Sequence, residues 1–131
     1  PGDVFRYDDM QVKVLGVAND FTGNPYNNSS MIYRVWDRRK SILFLGDAGV
    51  ECGQKVLDGP FRSELDCEYI QMAHHGQNGV KESLYQAIAP KYAFWPTPLW
   101  LFVNSRTKQL IPDSATYQTP PSSPVLTAAL P

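Results

Sequence analysis

An α/β (α+β) fold, a mixed sheet with flanking helices, is predicted by three observations on the sequence. Short runs rich in β-branched and aromatic residues recur between clusters of Gly, Pro, Asn and Asp, the pattern of strands joined by turns. One run, Ile42-Leu-Phe-Leu45, is continuously apolar, as in a strand buried on both faces. Two stretches of helical spacing follow the apolar runs and stop on Gly or Pro.

The elements follow in order. Val4 to Arg6 reads as a short strand, and Tyr7-Asp8-Asp9 as a turn. Met10 to Val17 is a strand carrying Val12, Val14 and Val17. Asn19 to Asn28, rich in Asn, Gly, Asp and Pro, is a loop. Ser30 to Trp36 alternates as a strand, Asp37 to Lys40 turns, and Ser41 to Leu45 returns. Ala48 to Asp58 is a helix stopped by Gly59-Pro60 and weakened by Gly49 and Gly53. Tyr69 to Ala73 is the strand that leads into the histidines. Val80, Leu84, Ala87 and Ile88 mark a second helix closed by Pro90, and Tyr92 to Trp95 is a last strand. No charged residue follows Asp113, and Pro, Ser and Thr dominate there, so residues 104–131 read as an irregular tail behind a domain spanning 1–103.

Composition narrows the function classes. The formal net charge of -1 gives no strong nucleic-acid signal and no pull toward an anionic membrane. The dense basic cluster Arg38-Arg39-Lys40 lies between two strands and reads as a solvated hairpin tip rather than a phosphate-binding patch. No apolar run approaches the ~20 residues of a membrane span. The Pro-Gly-Asp start suggests a processed or cut product. Cys52 and Cys67 read as two reduced, partly buried thiols, which leaves a soluble chain's compartment, cytoplasmic or cell-surface, open.

The chemistry concentrates in two places. Ser41-Ile-Leu-Phe-Leu-Gly-Asp47 is an apolar run that ends on a lone carboxylate. Met72-Ala-His74-His75-Gly76 carries both histidines of the chain after a second run. Strand ends of layered α/β folds collect ligands and catalytic groups. Carboxylate oxygen and imidazole nitrogen together suit Zn²⁺, Mn²⁺ or Fe. Asp47 suits a bridge between two ions, and one of His74 and His75 a terminal ligand. Adjacent residues at a strand end point to opposite sides, so the other histidine is left to contact substrate, protonate a leaving group or orient its neighbour. Taken alone, Asp47 would more often be a turn residue or helix N-cap, and a His-His pair more often hydrogen-bonded structure. A P-loop and a Gly-x-Ser-x-Gly elbow are both missing. Trp95, Trp100 and Tyr92 read as core or loop anchors.

The ordered series Asn27-Asn28-Ser29-Ser30, Ile42-Leu-Phe-Leu-Gly-Asp47 and Met72-Ala-His-His-Gly76 resembles the second half of metallo-β-lactamase-fold hydrolases. The closest likeness is to the branch with ComEC-type competence proteins and choline-phosphate esterases, over residues 2–101. The resemblance implies half of an αββα sandwich, with Asp47 as the metal-bridging aspartate and His74-His75 as the pair supplying the last histidine ligand. It implies two Zn²⁺ ions in the complete site. It also implies hydrolysis of an ester or phosphodiester, in a small-molecule or phosphodiester substrate, by metal-bound hydroxide. The family's His-x-His-x-Asp-His motif has no counterpart in this chain. The site is therefore expected to be incomplete, and the isolated chain inactive unless an N-terminal half is supplied. The alternative is a non-catalytic fragment or binding module. A half-sandwich would leave Val12, Val14, Ile32, Ile42, Phe44 and Ile70 as candidates for an uncovered inner face, which favours self-association or a partner supplying the missing half.

Overall fold

The computed structural model describes residues 1–17, 23–103 and 115–118. It is a mixed α+β fold around one seven-stranded sheet whose strands lie side by side in chain order. Strands β1 (Val4–Tyr7), β2 (Met10–Gly16), β3 (Ile32–Trp36) and β4 (Ser41–Phe44) form an antiparallel meander. From β4 onward the pairing is parallel, through β5 (Tyr69–Gln71), β6 (Tyr92–Trp95) and β7 (Ala115–Gln118). Parallel neighbours need crossovers, and these carry the helices α2 (Val50–Leu57), between β4 and β5, and α3 (Glu82–Ile88), between β5 and β6. A single turn, α1 (Pro25–Asn28), precedes β3, and α4 (Leu99–Val103) follows β6. No helix among the described residues is long and apolar enough to cross a membrane.

One face of the sheet is buried by α2 and α3. Leu43, Ile70 and Ala93 form a row across three parallel strands at zero exposure, with Cys52 and Val56 of α2 and Leu84 and Ile88 of α3 over them. Gly53 lets α2 close on α3 and the residues leading into it, since a Cβ there would sit 2.6 Å from Val80 Cγ1 and 3.3 Å from Leu84 Cδ2. The other face carries Val12, Val35, Ile42, Tyr69 and Tyr92 in one cross-strand row, all part-exposed. Tyr33 stacks on Phe44 and Tyr69 on Tyr92, each at 4.9 Å.

Strand parity divides the six candidates for an uncovered face. Ile32 and Ile70 point to the helices and are fully buried, whereas Val12, Ile42 and Phe44 lie on the opposite, part-exposed face. Val14, paired with Tyr33, shares that face but is buried.

Several boundaries differ from the sequence reading. The expected loop over 19–28 contains α1, with Pro25 in its first turn and the Asn24 side chain accepting from Asn27 N. Helix α2 starts at Val50, not Ala48, because Leu45 to Ala48 form a turn closed by Ala48 N to Leu45 O at 3.1 Å. Strand β5 ends at Gln71. Within the stretch 104–131 expected to be irregular, Ala115–Gln118 adds the edge strand β7; the rest of that stretch lies outside the described residues. Helix α4 was not foreseen; its Phe102 packs edge-on against the buried Trp95 at 5.4 Å. Trp95 is thus a core anchor, while Trp100 is exposed. Both cysteines are free and buried.

Candidate functional site

The carboxyl ends of three successive parallel strands, β4, β5 and β6, converge on one patch. Asp47 lies just beyond β4, His74 and His75 beyond β5, and Pro96 beyond β6. This is where open α/β sheets place ligands.

The turn carrying Asp47 is held from three sides. Gly46 has φ +55, a left-handed conformation, and a Cβ there would meet Ser30 Cβ at 3.3 Å. Ser30 Oγ accepts the Asp47 backbone N–H at 3.1 Å. From β5, Gln71 Oε1 accepts both Leu45 N (3.1 Å) and Gly46 N (2.8 Å). Asp47 does not cap α2. The N-cap is Gly49, which offers no side chain, and the buried Asn28 reaches over from α1 to accept the Cys52 N–H at 3.0 Å. The carboxylate of Asp47 is thereby left half-exposed.

The histidines do not continue the strand. His74 (φ 47), His75 (φ 56) and Gly76 (φ 76) are three consecutive left-handed residues, pinned by His74 N to Gly46 O at 2.9 Å. Left-handed backbone costs a non-glycine residue roughly 1–2 kcal/mol, and such strain gathers at functional turns. The expectation that the two side chains point to opposite sides is corrected by this turn. Their rings sit side by side, 6.2 Å apart and tilted by 47°.

The two imidazoles have different partners. His74 Nε2 lies 3.3 Å from Asn27 Nδ2, and its Nδ1 is buried and unpaired among the described residues. His75 Nδ1 lies 2.8 Å from the Pro96 carbonyl, an acceptor only, so Nδ1 carries a proton. His75 Nε2 then faces Asp47 Oδ1 at 3.6 Å, both side chains half-exposed.

This pair fits two positions of a metal site. Two ligand bonds of about 2.1 Å at a tetrahedral angle place their donor atoms about 3.4 Å apart. The observed 3.6 Å matches that separation and exceeds a normal hydrogen bond. A ligating histidine whose other ring nitrogen donates to a backbone carbonyl is also the usual arrangement around metals. The donor number falls short: among the described residues no group of three or more His, Cys, Asp and Glu could hold an ion. Asn27, Ser30, Gln71 and the Pro96 carbonyl complete the patch without having been singled out for a role. The Asn-Ser motif held two of them in view, but Gln71 and Pro96 are recognisable only once β5 and β6 are paired with β4. No family model and no curated protein matches the chain.

Proposed function

We propose that the chain is the C-terminal portion of a metal-dependent hydrolase of the metallo-β-lactamase fold that cleaves an ester or phosphodiester. One observation carries this reading: His75, anchored through Nδ1 to Pro96, turns Nε2 toward the Asp47 carboxylate at metal-ligand separation. The ordered motif series of the sequence supports it independently. Asp47 and His75 hold the ion from the sheet side, and its remaining ligands come from polypeptide outside the described residues. Zinc is the first choice for an oxygen and nitrogen donor set, with manganese or iron as alternatives. When bound, such an ion polarises the scissile carbonyl or phosphoryl group and lowers the pKa of a coordinated water. His74 does not ligate; its bond to Asn27 fixes the α1 turn against the histidine turn. Half-exposure of Asp47 and His75 leaves the patch open to a substrate.

The shortage of donors favours a second reading, a non-catalytic fragment or binding module. Assay of aryl ester and aryl phosphodiester hydrolysis with Zn²⁺ or Mn²⁺ separates the two, using the chain within its longest natural polypeptide. Turnover that disappears in Asp47→Ala and His75→Ala but survives in Asn27→Ala supports the hydrolase. Absence of turnover with every metal supports the binding module.

A further inference from the structure

A second patch lies at the opposite end of β4. Ser41 at the start of β4, Glu68 just before β5 and Lys91 just before β6 open onto a cleft of about 560 Å³, which Arg34 and Trp36 of β3 also line. The basic hairpin tip is solvated, as read from the sequence, and it also forms one wall of this cleft.

Its charges are not all available, and those that remain are mostly positive. Asp37 Oδ1 accepts the backbone N–H groups of Arg39 and Lys40, each at 2.7 Å, and these bonds hold its carboxyl below the ordinary value. Glu68 takes Lys40 at 3.2 Å, and Arg38 pairs with Asp9 at 3.1 Å. Arg39 and Lys91 also line the cleft, with Asp66 and with Arg34, whose side chain bonds the Cys67 thiol. Arg39 and Lys91 are exposed and have no ion-pair partner among the described residues. The Arg34 guanidinium lies 5.4 Å from the Trp36 ring centroid, and its Nε is buried with no hydrogen-bond partner among the described residues. That Nε is closed to solvent, so a ligand in the cleft meets Arg34 only through the part of the side chain that lines it.

We propose that this cleft binds a nucleoside phosphate, with the phosphate held by Arg34, Arg39 and Lys91 and the base against Trp36. Guanidinium forks match phosphate oxygens, and an indole beside them supplies a stacking surface. A small-molecule site occupies about 300–1,000 Å³, so the cleft has room for a base and sugar beyond the phosphate. The site is independent of Asp47 and His75, and no metal enters it.

Titration of the metal-free protein with AMP, inorganic phosphate and a short single-stranded oligonucleotide, followed by tryptophan fluorescence and calorimetry, tests the assignment. AMP is expected to bind saturably, more weakly as salt rises, and at least about tenfold tighter than phosphate, the base adding a stacking contribution. Arg39→Gln combined with Lys91→Gln, both at exposed positions, should weaken AMP about tenfold or more without changing the melt. Trp36→Phe should remove the fluorescence change. Failure of AMP to saturate, or equal binding by the double variant, overturns the site. Phosphate binding as tightly as AMP overturns the base contact, and an oligonucleotide binding far tighter than AMP replaces the small ligand with a nucleic-acid strand.

Discussion

His75 Nε2 stands 3.6 Å from Asp47 Oδ1, and the opposite nitrogen of the same ring is tied to the carbonyl of Pro96. Three strand ends therefore meet in one imidazole. With Nδ1 protonated by that bond, Nε2 and the carboxylate are left facing one another, and a cation between them satisfies both. His74, its neighbour, is turned toward Asn27.

Gln71 is the joint between the two halves of the site. Its Oε1 accepts two backbone amides of the Asp47 turn, Leu45 N and Gly46 N. Gln71→Leu strands both donors in a part-buried setting and should destabilise the fold by about 2–4 kcal/mol. Gln71→Glu keeps the acceptor oxygen but loses the Nε2 donor to the Met72 and Gly46 carbonyls, so it should recover only part of that loss. Urea unfolding of the three proteins measures it; an unchanged midpoint in Gln71→Leu would show that the turn stands without the staple.

Gly46 is fixed by conformation and by space. Gly46→Ala meets a left-handed φ of +55 and a Ser30 Cβ at 3.3 Å. The expected cost is about 1–2 kcal/mol, with the Asp47 carboxylate displaced. Thermal melting reads the stability, and metal affinity reads the displacement.

Burial makes the thiols poor acids. Cys52 is raised from the ordinary 9.0 to about 11, and burial raises Cys67 and Tyr85 in the same direction. Unfolded thiols ionise first as pH rises, so the unfolded chain binds fewer protons than the folded one across that interval. Stability contributed by Cys52 is thus complete below pH 9 and declines between 9 and about 11. The melting temperature should fall over this range, and thiol-specific labelling of the folded protein at pH 8 should be slow. Rapid labelling of both thiols at pH 8 would show that the core opens readily.

The part-exposed sheet face should drive association. Phe5 is 62% exposed and Tyr7 74%, beside the part-exposed row from Val12 to Tyr92. Contiguous apolar surface of this kind marks interfaces. Sedimentation at increasing concentration is expected to show self-association that Phe5→Lys with Ile42→Lys reduces. A monomer at all concentrations would mean that the face is covered by the chain itself.

The strands were legible in the sequence because β-branched runs and turn residues alternate cleanly from Val4 to Trp36. Helices α2 and α3 were legible through periodicity and their Gly and Pro terminators. Helix α1 was not, because one turn has no periodicity and Asn28 is placed by its tertiary bond to Cys52 N. The direction of the histidines was misread for a related reason. Three left-handed residues in succession are set by the tie to Gly46 O, and two of them are residues that seldom adopt that conformation. Motif order brought Asp47 and the histidine pair into view together; the distinction between His74 and His75 rests on Asn27 and Pro96, which only the folded chain brings near.

The assignment of Asp47 and His75 as the metal-facing pair is tested most directly by NMR of the imidazole nitrogens during titration with Zn²⁺, with Mn²⁺ as a relaxation probe. The expected result is a shift and selective broadening of His75 Nε2, with His74 less affected and the response lost in Asp47→Ala. Weak binding by the chain alone is compatible with two donors, provided that it is centred there. Broadening centred on His74, or a His75 signal unchanged at saturating metal, would contradict the assignment.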